Sequence, residues 1–190
     1  SVNDLPTQQF PNLNSLHTDS SGHIWVTGKN GYVFKYNSFQ DTFDLVLSAS
    51  DSIQSKRRLP FTHTNLDKSN HLWCCTKNAQ YIYHTIEGKF IQVESPIQKE
   101  VTYLTQGKGN QYFIGTNTNV FIAELQDNRL SVKTDSLLEN FHVIQHLYYH
   151  EPTNSLVIST LMDGFYIYDQ TNRTLENIGN MKDVAINSII

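Results

Sequence analysis

Three histidines, His142, His146 and His150, recur at four-residue spacing, and on a helix that spacing would gather them as metal ligands. The residues between them, Val143-Ile144 and Leu147-Tyr148-Tyr149, instead carry the apolar pattern of a strand. On a strand the three share one face, but the outer pair lies about 26 Å apart, too far for one ion. Asp19 and Asp67 invite a calcium reading, yet the D-x-[DN]-x-[DN]-G run with a distal glutamate is missing. An aspartate that opens a turn by bonding its own backbone explains both better. There is no G-x-S-x-G, no H-E-x-x-H and no phosphate loop. The glycines of GKGNQYFIG (107–115) sit in a hairpin rather than before a helix, so they make no nucleotide site. Cys74 and Cys75 are adjacent, so on a strand they point to opposite faces and cannot join in an unstrained disulfide. The expectation is one buried thiol and one half-exposed. The residues thus predict no cofactor, no metal and no catalysis.

One cluster remains. Lys56-Arg57-Arg58, in the long linker 48–60, is the only basic run. An arginine pair there could grip a carboxylate or sulfate on an acidic sugar in bidentate fashion; the competing reading is an ordinary solvated loop.

The elements that must position such residues follow from composition and repetition. The chain has 190 residues, 12% aromatic and 17% charged, with a mean hydropathy of -0.42. It is too aromatic for a disordered chain and too polar for a membrane protein. No run of about 18 apolar residues occurs. A net charge of -4 argues against nucleic acid as a partner. The residues from Ser1 do not read as a signal peptide and are expected to be the tail of an earlier unit.

Four segments, starting at Leu13, Phe61, Val101 and Val143, share one pattern, and their marker residues Trp25, Trp73, Phe113 and Val157 are 48, 40 and 44 residues apart. That period fits a propeller blade of four strands, at about 40–45 residues. In the first unit the strands are expected at Leu13–Thr18, His23–Thr27, Tyr32–Tyr36 and Phe43–Leu47, separated by turn residues of the Asp, Ser, Asn and Gly type. The second and third strands are apolar on both parities, as in Ile24-Trp25-Val26 and Leu72-Trp73-Cys74. A sheet greasy on both faces must be covered on both faces, and stacked neighbours supply the cover. The fold class is therefore all-β, a β-propeller of about four antiparallel blades at 13–60, 61–100, 101–142 and 143–185. Residues 1–12 and 186–190 are expected to belong to neighbouring blades, which favours an arc of a larger ring over the alternative, closure as four blades.

The stretch SLHTDSSGHIWVTGKNGYVFKYN (15–37) resembles the two-component regulator propeller repeat, and NLDKSNHLWCCTKNAQYIY (65–83) keeps its Asp and Trp. The third unit retains Ile114-Gly115-Thr116, and the fourth only Ile158-Ser159-Thr160 with an Asp163-Gly164 turn. The resemblance implies a periplasmic sensor segment of a hybrid two-component histidine kinase, responding to an oligosaccharide and signalling to a cytoplasmic kinase and transcription output. The kinase and the membrane anchor would lie outside these residues. A protein-interaction propeller without a small ligand and a polysaccharide-processing propeller enzyme are the alternatives.

If each blade starts at the central axis, the turns between second and third strands share one rim with the connections to the next blade. Ligands usually sit over that rim. It nominates Asn30, Asn78, Asn117 and Asp163, with Lys29, Lys77 and Asn119 beside them, and the linker carrying Lys56, Arg57 and Arg58. The expected partners are an oligosaccharide, including an acidic one, and other copies or propellers seated on the end-blade faces.

Overall fold

The computed structural model describes residues 13–48 and 60–179. Those residues form sixteen strands in four antiparallel sheets, each of four strands in plain chain order. The first sheet holds β1 (Leu13–Thr18), β2 (Ile24–Gly28), β3 (Tyr32–Asn37) and β4 (Thr42–Ser48). The second holds β5 (His63–Leu66), β6 (His71–Cys75), β7 (Gln80–His84) and β8 (Lys89–Gln92). The third holds β9 (Tyr103–Gln106), β10 (Gln111–Gly115), β11 (Val120–Gln126) and β12 (Arg129–Lys133). The fourth holds β13 (Ile144–His150), β14 (Ser155–Thr160), β15 (Phe165–Asp169) and β16 (Thr174–Gly179). Short 3-10 turns at Ser136–Leu138 and Glu151–Thr153 are the helical content of the described residues.

Turn chemistry sets where the strands stop. Asp127 and Asn128 both take positive φ between β11 and β12, the backbone that a two-residue hairpin needs and that Asn and Asp tolerate. Gly31 takes positive φ (84°) before β3 in the same way.

The first strands β1, β5, β9 and β13 pack beside one another in chain order, and no comparable packing joins β13 to β1 among the described residues. Among the described residues the sheets therefore fan about the line of their first strands. Side-chain parity then decides what each sheet buries. Leu72, Cys74, Tyr81 and Tyr83 of the second sheet join Trp25, Val33, Leu47 and Phe61 in one core cluster. The opposite parity, Trp73, Cys75 and Ile82, joins Leu104, Tyr112, Ile114 and Ala123 of the third sheet in another. Phe113 and Val120 then turn the other way, onto Ile144, Leu147, Leu156 and Ile158 of the fourth. Each interface is a dry layer between neighbouring sheets, as both-faced strands require.

This arrangement corrects the expectation for the cysteines. Both thiols are fully buried, because the second sheet is covered on both faces and each thiol lies in a different layer. Burial pushes Cys75 up to about 12 and Cys74 well above its ordinary value, so neither is a thiolate nucleophile at neutral pH.

Aspartates pin the layers. Asp19 accepts from the backbone of Ser21 and His23 at 2.9 Å each, as expected of a turn-opening residue. Its other oxygen accepts from Trp25 Nε1 at 2.9 Å. Asp67 repeats the pattern with Ser69, His71 and Trp73, and adds the hydroxyl of Tyr112 from the third sheet at 2.7 Å. In the third unit the Phe113 side chain has no N–H to satisfy, and Gly107 stands in the aspartate's place. A Cβ on Gly107 would meet the Phe113 ring at 2.9 Å. Aspartate and tryptophan thus enter and leave this chain as a pair.

Asp67→Ala leaves two backbone N–H groups, an indole and a phenol without their buried acceptor, while Asp19 bonds nothing beyond its own sheet except through its turn. We expect Asp67→Ala to lower the urea-unfolding free energy by about 3 kcal/mol or more and Asp19→Ala by clearly less. Equal losses in the two variants would show that the bond across the sheets adds nothing.

Candidate functional site

The rim nominated from the sequence is tied by backbone bonds from the first and third connections to the turns that precede them. Phe61 N donates to Lys29 O at 3.1 Å, Phe141 N to Thr118 O at 2.9 Å, and Val143 N to Asn117 O at 2.8 Å. The turns between second and third strands and the inter-sheet connections therefore lie on one side of the fan.

The polar side chains nominated there do not converge on one another: no hydrogen bond among the described residues links Asn30, Asn78, Asn117 and Asp163. Asp163 is engaged locally, its carboxylate accepting from His142 N at 2.8 Å and pairing with His142 Nδ1 at 2.8 Å. Asn119 Oδ1 lies 3.5 Å from Lys99 Nζ. Lys56, Arg57 and Arg58 lie outside the described residues. The three spaced histidines also separate: His142 goes to Asp163, His146 to the ring of Tyr103 at 5.1 Å, and His150 Nδ1 to Thr153 Oγ1 at 2.8 Å.

The first strands build a second polar cluster along the axis, which single-residue reading missed. Strand register places Ser15 opposite Thr27, His63 opposite Cys75, Tyr103 opposite Gly115 and His146 opposite Ser159. These are one repeat position in four sheets, so Ser15, His63, Tyr103 and His146 line up along neighbouring strands. The ring of His63 lies 4.6 Å from that of Tyr103. Ser15 Oγ contacts His17 Nε2 at 2.7 Å, Thr27 Oγ1 at 2.9 Å and the hydroxyl of Thr64. The signal was present in the repeat alignment, one position at a time. Opposite this line the residues stay small, Thr27, Cys75, Gly115 and Ser159. At Gly115 an added Cβ would meet Ile144 Cγ2 at 2.9 Å, so the next sheet's first strand forbids a side chain.

A cavity of about 310 Å³ opens beside the rim turn of the second sheet, lined by Asn78, Gln80, Gln92, Glu94, Ser95 and Gln98 among others. Asn78 is the one nominated residue on its wall.

No protein-family model and no curated protein matches this sequence. Solved structures do. The extracellular domain of a hybrid two-component system from B. thetaiotaomicron is 17% identical with a TM-score of 0.70, over 95% of this chain and 25% of that one. The extracellular domain of a one-component system from the same organism is 17% identical with a TM-score of 0.69, over 94% and 22%. A β-propeller domain from Myceliophteria thermophila is 9% identical with a TM-score of 0.65, over 90% and 57%. The fold is that of β-propeller sheets, and the chain spans about a quarter of the two extracellular domains it is compared with.

The axial histidines make the fold sensitive to acid. Burial lowers His17 to about 4. Burial, then the neighbouring His17, lowers His63 to about 4. In an unfolded chain both titrate near 6.5, so between about 6.5 and 4 the unfolded state binds more protons. The stability contributed by the neutral rings is complete above 6.5 and is lost as pH falls towards 4. His71 acts with the opposite sign, because its bond to Asp67 raises it. We expect unfolding free energy to fall from pH 7 to pH 4.5, by on the order of 1 kcal/mol per pH unit per histidine. A His17→Gln, His63→Gln variant should show a flatter slope over that interval. An unchanged slope in the variant would remove the axial pair as its cause.

Proposed function

We propose that this chain is a non-catalytic, ligand-sensing propeller segment from the extracytoplasmic region of a hybrid two-component sensor. In this reading it is periplasmic, answers to an oligosaccharide, and passes the signal to a cytoplasmic kinase and transcription output. The observation that carries the proposal is the match of nearly the whole chain to extracellular domains of such systems, at TM-scores of 0.68–0.70. The repeat at 15–37 supports it from the sequence side. No helix of the described residues is long and apolar enough to cross a membrane.

The use of the buried carboxylates supports a non-catalytic role. Asp19 and Asp67 hold turns and tryptophans. Asp135 accepts from the Tyr168 hydroxyl at 2.9 Å and from Arg173 Nη2 at 3.0 Å. These groups are engaged in holding sheets rather than poised as acid or base.

Signalling in this reading is a change in how propeller sheets sit against one another. A ligand biases that arrangement only through different affinities for two arrangements. The outer face of the first sheet offers a surface for such packing. Leu16, Val26, Phe34 and Leu45 face one another across β1 to β4, with Leu16 66% and Leu45 46% exposed. Tyr148 and Ile178 are exposed on the fourth sheet. Another propeller sheet or a second copy would seat on these faces.

Thermal-shift measurements with neutral and acidic oligosaccharides test the proposal. A ligand at 100 times its Kd adds about 2.7 kcal/mol, which raises Tm by several degrees in a chain of this length. An Arg57→Ala, Arg58→Ala variant should lose the response to acidic sugars. Failure of every oligosaccharide to shift Tm contradicts the sensing role, and an unaltered response in the double variant contradicts a role for the basic linker.

A further inference from the structure

The joints between neighbouring sheets are not built alike. Across the second joint, Asp67 accepts from the Tyr112 hydroxyl of the third sheet at 2.7 Å. At the third, Asp135 accepts from Tyr168 of the fourth sheet at 2.9 Å and from Arg173 Nη2 at 3.0 Å. Bonds to an ionised group are roughly twice as strong as neutral ones. Among the described residues no carboxylate bonds across the first joint, because Asp19 accepts only within its own sheet, from Ser21, His23 and Trp25. The polar side-chain bonds that cross it join neutral groups. Ser15 and Thr27 meet the hydroxyl of Thr64, and Ser20 and Asn70 exchange bonds at 3.1 and 2.9 Å. The rest is apolar packing of Trp25, Val33 and Leu47 against Leu72 and Cys74.

His17 sits in that neutral joint. It stands opposite Trp25 in register, with Nε2 2.7 Å from Ser15 Oγ and 3.4 Å from Thr64 Oγ1. The titratable groups of the second sheet on this side are Cys74, Tyr81 and Tyr83, and burial raises all three, so they stay neutral. Lys35 Nζ lies over the Trp25 ring at 5.2 Å. His63, on the neighbouring first strand, stands opposite Cys75 and against the ring of Tyr103, which in turn meets His146. Its Nε2 is buried without a partner among the described residues. An imidazolium at His17 thus has a lysine and a second histidine on its side of the fold and no bonded anion. The second joint is balanced differently. His71 Nδ1 lies 3.2 Å from Asp67 Oδ2, and that carboxylate raises His71, so a proton held there offsets the one that buried His63 resists. At the first joint nothing offsets His17, which burial lowers to about 4. A freed histidine titrates near 6.5, so between about 6.5 and 4 the opened joint binds the extra proton and acid favours it.

We propose that the joint between the first and second sheets is an acid-operated hinge, in which a proton on His17 releases the first sheet while the second, third and fourth sheets stay packed. Solvent supplies the proton to the imidazole, the hydroxyl contacts of Ser15 and Thr27 with Thr64 part, and Trp25 leaves the ring of Tyr83, 5.7 Å away in the closed joint. This is distinct from a general loss of stability in acid, because the loss is confined to one joint. The hinge is a property of the sheets and holds whether or not the chain senses an oligosaccharide. In the sensing role put forward above it adds the proton as a second input, since the packing of sheets is what a ligand biases.

Native-state hydrogen exchange of the 190-residue chain at pH 7 and pH 5, corrected for intrinsic exchange rates, reads the joints separately. From pH 7 to pH 5, opening at Trp25–Gly28 should grow on the order of 10-fold relative to opening at Tyr112–Gly115. His17→Gln, which keeps a donor and an acceptor for the neighbouring hydroxyls, should remove that difference, and His63→Gln should leave it in place. The two indoles give the same contrast without a substitution. The Trp25 N–H, bonded to Asp19, should lose protection at pH 5, and the Trp73 N–H, bonded to Asp67, should keep it. Equal growth of opening in all four sheets overturns the hinge. So does a difference that survives His17→Gln, or one that is lost in His63→Gln.

Discussion

The structure depends on sheets that are apolar on both faces. Such a sheet has no stable existence by itself, because whichever side is turned to water exposes a layer of large side chains. Stacking solves the problem for interior sheets and passes it on to the ends. In this chain the second and third sheets have a neighbour on each side. Trp73, Leu72, Cys74 and Cys75 are accordingly all at 0% exposure, within four consecutive positions of one strand. Among the described residues the first sheet has a neighbouring sheet on one side only, and its outer row keeps Leu16 and Leu45 in contact with solvent. Burial of one large side chain is worth about 1.5–3 kcal/mol, so these outer rows define surfaces with a strong tendency to be covered.

Polar groups inside the stack are tolerated where they hold something. Asp19 is kept at about 2, since the bonds from Trp25 and His23 outweigh the burial that would raise it. Asp67, and Asp135 from the connection after the third sheet, do the same work between sheets, each accepting a tyrosine hydroxyl from the sheet that follows. Burial and the Asp135 bond push Tyr168 up to about 12, so the phenol remains a donor throughout the neutral range. Gln80 and Ser159, both buried at 0%, have side-chain polar atoms without a hydrogen-bonding partner among the described residues and hold no sheet through them.

Strands, turns and the four-fold pattern were legible in the sequence because they rest on local rules. The expected Leu13–Thr18 coincides with β1, and the expected Tyr32–Tyr36 falls within β3. Alternation, and the Asn, Asp and Gly of the turns, act over a few residues. The pairing of Asp67 with Tyr112 spans 45 residues and leaves no mark at either end alone. The cysteines misled for a related reason: adjacency fixes their opposite directions, but only the presence of sheets on both sides makes both directions buried. His63 became visible once repeats were superimposed position by position. Its neighbours in sequence carry no hint, since a histidine in a strand otherwise reads as solvent-facing.

Cover on both faces, rather than strand sequence, sets local stability in these sheets. Native-state hydrogen exchange of the backbone amides measures this directly. The slowest exchange is expected in the middle strands of the second and third sheets, at Leu72–Cys75 and Tyr112–Gly115, with β2 and β3 of the first sheet opening at distinctly lower free energy. Uniform protection across the four sheets, or greater protection in the first sheet than in the second, would contradict it.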